Sequence, residues 1–222
     1  MKPLRLGIAI SGAGSNMLAI AERCLAGRIR ADVAVVVSDR PEAPGLARAQ
    51  ALGIATCAVP RNPDDTRLTH DARLRAALES HGADCVLLAG YMRILSSEFV
   101  HHYADRLLNI HPSLLPAHKG LHTHRAVLAA RETRHGATVH YVTSELDGGP
   151  AVLQSVVPVI DGDDETTLAN RVRATEHVIY PQVVEWLADA RLRCIAGRPE
   201  LDGELLHAPR VTHFDAQGRE LV

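Results

Sequence analysis

Five short apolar runs, bounded by turn residues, recur at Leu4–Ile10, Val33–Val37, Ala55–Val59, Cys85–Ala89 and Leu107–Ile110. Runs of this length without polar alternation read as strands buried on both faces, the habit of a parallel sheet. Helix-like stretches separate them: Met17–Ala26 closed by Gly27, Gly45–Leu52 closed by Gly53, and Asp65–Ser80, which opens on two acids. Strand–helix alternation at this spacing predicts an α/β fold, a doubly wound and mostly parallel sheet.

After Pro112 the rhythm changes. A helix is expected near His124–Arg131, then strands at Ala137–Thr143 and Ala151–Val159. A long helical region over Thr166–Ala190 is expected to be interrupted at Tyr180-Pro181, because proline removes a backbone donor. Residues 191–222 carry short apolar pieces among Gly and Pro breaks and read as a trailing hairpin or meander.

A chain of 222 residues can bury a sizeable core without a disulfide or metal staple. The formal charge of −2, with basic and acidic residues interspersed, supplies no basic field and argues against a nucleic-acid partner. Cys24, Cys57, Cys85 and Cys194 lie far apart with no Cys-x-x-Cys pair, the pattern of a reducing cytoplasm. The opening MKPLRLGIAI is too short for a signal peptide and runs into glycines, so it reads as the first strand. No run elsewhere is long enough to span a bilayer.

Two stretches carry chemistry. ISGAGSNMLAI sets Ser11, Gly12, Gly14, Ser15 and Asn16 between a buried strand and a helix. Such a turn lets the backbone approach an anion at the helix N-terminus, where free N–H groups and the dipole favour phosphate. The bland alternative is a tight turn capped by Ser15. A dinucleotide fingerprint would need a third glycine where Met17 stands, with only Asp39 after the second strand in its favour, and the Gly-Lys-Ser/Thr of a P-loop is missing.

In the second stretch, RLLNIHPSLLPAHKGLHTHR, Asn109 and His111 fall at the carboxyl end of a buried strand. Their spacing of two puts both side chains on one face. A neutral amide donor beside a titratable imidazole suits a developing oxyanion. Asp147, in the turn TSELDGGP, is the candidate to hold the imidazole, although a lone Asp-Gly-Gly is also an ordinary turn. A metal nest of His111, His118, His122 and His124 is disfavoured, since His122 and His124 are two apart and no Cys or Glu completes a tetrahedral set.

Taken together, ISGAGSN, LAGYMRILSSEFV, LLNIHPSLLPAHKGLHTHRAVL, HGATVHYVTSELDGGPAVLQ and RVRATEHVIYP resemble the folate-dependent phosphoribosylglycinamide formyltransferases over nearly the whole chain. The Asn-x-His-Pro-Ser-Leu-Leu-Pro core is similar to that of formyltetrahydrofolate-using transferases in general, and the flanking segments narrow the resemblance. It implies a Rossmann-like formyltransferase fold in one domain, 1–222. Residues 1–105 would form the phosphate-binding half, 106–190 the catalytic and folate-binding half, and 191–222 a strand/helix extension.

The resemblance further implies that Asn109, His111 and Asp147 are catalytic. Gly12, Gly14, Ser15, Asn16 and Glu176 would hold the ribonucleotide. Arg67, Met92, Arg93, Ile94 and Leu95 would line the folate site, with Asn109, Ser144, Leu146 and Asp147. The implied co-substrate is 10-formyltetrahydrofolate, with no metal, in a cytoplasmic monomer or weak homodimer. Met92, Ile94 and Leu95 could equally be core residues, Glu176 and Arg67 surface charges, and His140 a buried strand histidine. The sequence departs from the pattern at Ala13, where many relatives carry Asn, and at PAHKG, where aromatic-containing versions are commoner. A methionyl-tRNA formyltransferase would need a further carboxyl-terminal domain, and a formyltetrahydrofolate deformylase an extra amino-terminal one. A phosphate-sensing module without chemistry would explain the glycine loop alone.

Overall fold

The computed structural model describes residues 2–221. Its centre is β1 (Leu4–Ile10), which pairs in parallel with β2 (Ala31–Ser38) on one side and β4 (Cys85–Leu88) on the other. The chain leaves β1 through α1 (Ser15–Leu25) to β2, then through α2 (Pro44–Ala51) to the short outer strand β3 (Thr56–Ala58). It returns through α3 (Arg67–Ser80) to β4, and α4 (Ser97–His102) leads to β5 (Leu107–His111). This reversal opens a crevice beyond the carboxyl ends of β1 and β4, where open α/β sheets bind ligands.

Beyond β5 the sheet turns antiparallel. α5 (Thr123–Ala129) precedes β6 (Arg134–Tyr141), which pairs with both β5 and β7 (Ala151–Pro158). The long helix α6 (Glu165–Ala188) follows, opened by a capping box in which Asp164 and Thr167 satisfy each other's backbone N–H. Strands β8 (Leu192–Ile195), β9 (Arg198–Leu201) and β10 (Glu204–Leu205) form a small antiparallel sheet, and β11 (Arg210–His213) rejoins the main one. The eight-stranded order is β11-β7-β6-β5-β4-β1-β2-β3.

Each face of the sheet carries its own core. Met17 and Ile20 of α1, Leu46 of α2, Val127 of α5 and Ile179, Tyr180 and Val183 of α6 pack on one face, and Leu74 and Leu78 of α3 with Phe99 of α4 and its C-cap Tyr103 on the other. The runs of the central strands are uniform because strands sandwiched this way have no wet face, whereas β3, read as buried, lies at the sheet edge with Thr56 and Cys57 half-buried and Ala58 exposed.

Three expectations need correction. α6 continues through Pro181, which is buried inside the helix. Packing on both sides of the break outweighs one lost backbone bond, and the Tyr180 hydroxyl lies 3.2 Å from the carbonyls of both Leu88 and Leu108. The end of the chain is more than a free hairpin, since β11 pairs in parallel with β7, Arg210 to Leu153 through His213 to Val156. Finally, Ser15 is the first helical residue of α1 and Gly14 the N-cap, without a side-chain cap bond.

Candidate active site

The glycine loop joins β1 to α1. Gly14 has φ +70°, and a Cβ there would sit 3.1 Å from the Cα of Gly45, so glycine is required on both counts. Gly12 accepts a backbone bond from Gly45 at 3.0 Å, and the loop carbonyl of Ala13 accepts from the Arg48 guanidinium at 3.1 Å. Ser15 and Asn16 begin a helix whose leading N–H groups receive no bond from an N-cap side chain, next to a cation on α2. Arg48 is a residue that sequence reasoning missed, because an arginine on an amphipathic helix carries no signal of where it reaches.

Asn16 donates from Nδ2 to Glu176 Oε2 at 2.7 Å, which brings α6 onto the loop. Burial pushes the Glu176 carboxyl above its ordinary range, and the Asn16 bond and Arg173 pull the other way. Glu176 is thus no solvated surface acid.

Asn109 and His111 project from the end of β5, and the antiparallel register sets Asn109 opposite His140. The Asn109 amide lies 3.2 Å from His140 Nε2, while His140 Nδ1 lies 2.9 Å from the Tyr141 carbonyl. A carbonyl can only accept, so the proton of neutral His140 sits on Nδ1 and Nε2 receives the amide. Burial holds His140 below the ordinary histidine range, keeping it in that neutral form.

His111 is buried, with Nδ1 3.5 Å from Asp147 Oδ2 and Nε2 2.9 Å from the His118 carbonyl. Asp147 Oδ2 also accepts the Gly120 N–H at 2.9 Å, and its Oδ1 stands 3.9 Å from His140. Asp147 has φ +48°. The turn between β6 and β7 thus delivers a carboxylate to the end of β5. Both ring nitrogens of His111 thus face oxygen acceptors.

Met92 and Ile94 are 61% and 56% exposed, whereas Leu95 is buried. Exposed apolar side chains on a coil at a crevice are candidates for ligand contact. Ser144 and Leu146 are exposed on the turn between β6 and β7. Arg67 is exposed at the start of α3, one helical turn before Asp71, whose carboxylate accepts the Ser96 N–H at 2.5 Å at the far end of the Met92 segment.

Of the other three histidines in the His111 stretch, two have side-chain partners and one marks a helix start. His118 pairs with Glu132 at 2.7 Å and His124 with His135 at 2.9 Å, and His122 caps α5 with φ +60°. Among the described residues no group of three or more His, Cys, Asp and Glu is placed to hold a metal. Asp39 is also engaged, on Ser11 and Arg93.

A formyl transferase family model matches residues 4–184, and the phosphoribosylglycinamide formyltransferase of Escherichia coli is 47% identical over 203 residues, 91% of this chain and 96% of that one. The chain belongs to the phosphoribosylglycinamide formyltransferase family. The Haemophilus influenzae member is 39% identical over 202 residues, 91% of this chain and 95% of that one. The solved phosphoribosylglycinamide formyltransferase of Coxiella burnetii superposes with a TM-score of 0.89 at 40% identity, covering 94% of this chain and 99% of that chain. Members of this family are one-carbon group transferases that use formyl-tetrahydrofolate as co-substrate. Among the described residues no helix is long and apolar enough to cross a membrane.

Proposed function

We propose that the primary amine of 5'-phosphoribosylglycinamide attacks the formyl carbon of 10-formyltetrahydrofolate at the end of β5. The observation that carries this reading is the convergence of Asn109, His111 and Asp147 from strand and turn, beside a glycine loop. The new C–N bond turns the formyl oxygen into an oxyanion. Asn109 has one amide hydrogen on His140 and its second free to donate to that oxygen. The His111 Nε2–H, now spent on the His118 carbonyl, transfers to the oxyanion as the better acceptor.

Asp147 stabilises the charged imidazole and helps carry the proton from the attacking nitrogen to the departing folate nitrogen as the old C–N bond breaks. Gly12, Gly14, Ser15 and Asn16 hold the phosphate and Glu176 the ribose or glycinamide part. Met92, Arg93, Ile94 and Leu95 face the backbone of Ser144, Leu146 and Asp147 across the folate, with Arg67 toward its tail. No step calls for a metal ion, because the amide, imidazole and carboxylate supply the charge stabilisation and proton path.

We further infer a single catalytic domain, whose phosphate half (1–105) and catalytic half (106–190) share one sheet. Residues 191–222 form an appended extension, and the protein works in the cytoplasm as a monomer or weak homodimer. The test is tetrahydrofolate release from 10-formyltetrahydrofolate with and without the ribonucleotide. Release only in its presence is expected. Equal release without it would point to hydrolysis instead, and no release at all would leave a binding module.

A further inference from the structure

We propose that Ser11 and Asp39 are positioning residues that fasten the folate-side wall to the phosphate loop, and so set the distance between the two substrates. The inference rests on the functional reading above. It starts from a coil, Gly90–Leu95, in which the buried Tyr91 and Leu95 flank a stretch whose Met92 and Ile94 side chains stay exposed. Burial anchors the two ends, and polar attachments hold the exposed stretch between them. Ser11, the residue before Gly12, donates its backbone N–H to the Gly90 carbonyl at 3.0 Å and accepts the Met92 N–H on Oγ at 2.9 Å. The Ser11 hydroxyl in turn donates to Asp39 Oδ1 at 2.5 Å, and Asp39 Oδ2 lies 3.4 Å from the Arg93 guanidinium.

The order of donors follows from chemistry. An ionised carboxylate only accepts, so Asp39 takes the Ser11 proton and leaves an oxygen lone pair free for the Met92 N–H. Ser11 and Asp39 are 3% and 8% exposed, which strengthens these bonds relative to water. Both residues stand at carboxyl ends of the strands that build the phosphate side, Ser11 just after β1 and Asp39 just after β2. The wall thus takes its position from the phosphate loop's own supports. Reactions between two bound substrates depend steeply on such registration.

The test varies both substrates against wild type, Ser11→Ala and Asp39→Asn. Ser11→Ala keeps the backbone bond to Gly90 and removes both hydroxyl links. Asp39→Asn keeps the shape and removes the charge that orders Ser11 and holds Arg93. The expected result is a KM for 10-formyltetrahydrofolate raised about tenfold, the scale of one hydrogen bond to a charged group, and a kcat lowered further than the folded fraction accounts for, with the ribonucleotide KM within about twofold of wild type. A merely structural role would leave both KM values alone and lower kcat with the folded fraction measured by melting, and that outcome overturns the proposal. A ribonucleotide KM rising in step with the folate KM overturns it as well. Should Ser11→Ala not fold, Asp39→Asn decides by the same criteria. Transfer by the wild type secures the functional reading independently, so its absence would be the failure of that reading and not of the wall's attachment alone.

Discussion

Asp147 combines a left-handed backbone with three near neighbours, the Gly120 N–H and the rings of His111 and His140. Asparagine tolerates that backbone, so Asp147→Asn removes charge while keeping shape. Melting within a few degrees of wild type and kcat lower by about 10²–10⁴-fold, the usual range for a proton-transfer group, are expected. Steady-state kinetics with a thermal melt checks both, and unchanged turnover would remove Asp147 from the proton path. The residue scale was partly legible in the sequence. A spacing of two at a strand end shows that Asn109 and His111 share a face, since the pleat makes it so. No local rule brings Asp147 to His111, and none reveals that His140 receives the Asn109 amide, because both contacts depend on the antiparallel register of β5 and β6. Asp39 is the one sequence feature in favour of a dinucleotide fingerprint, and its partners in the fold, Ser11 and Arg93, come from two other loops.

At the scale of elements, the strand–turn–helix unit at residues 4–25 is the most constrained piece of the site. Gly14→Ala would place a Cβ at positive φ and within 3.1 Å of Gly45. The backbone term alone costs about 1–2 kcal/mol. A lower melting temperature together with weaker inorganic-phosphate binding, read by calorimetry, is the expected outcome, and a variant equal to wild type in both would mean the loop does not need its left-handed turn. Strands buried on both faces were plain in the sequence because their apolar runs have no polar gaps. β11 was not, since Arg210, Val211 and His213 are exposed and only pairing with β7 makes the segment a strand. α4 was missed for a related reason: six residues ending in two histidines are too short for a helical period to register. The break expected at Pro181 rested on a local rule that tertiary packing overrides.

For the whole molecule, one sheet joins the two proposed halves, and its stability carries a pH signature from near the candidate site. His135 is 1% exposed and lies 2.9 Å from His124, and burial together with neighbouring histidines pulls its pKa down to about 3. A depressed folded pKa means that the unfolded chain binds the proton first. This contribution to stability is therefore complete above the unfolded value of 6.5 and is lost as the pH falls from there toward about 3. Between pH 7 and pH 5 the loss is about 2 kcal/mol at most. Denaturant melts across that range are expected to show the decline, with a shallower one for His135→Gln, and identical slopes for the two proteins would contradict it.

The proposed chemistry depends on a formyl oxyanion that forms between Asn109 and His111. The most direct measurement is the single-turnover rate of formyl transfer by His111→Ala at saturating concentrations of both substrates. A rate lower by about 10²–10³-fold, on the scale of one lost oxyanion donor, is the expected result, with substrate affinities within a few-fold of wild type. Near-normal turnover in this variant would contradict the account.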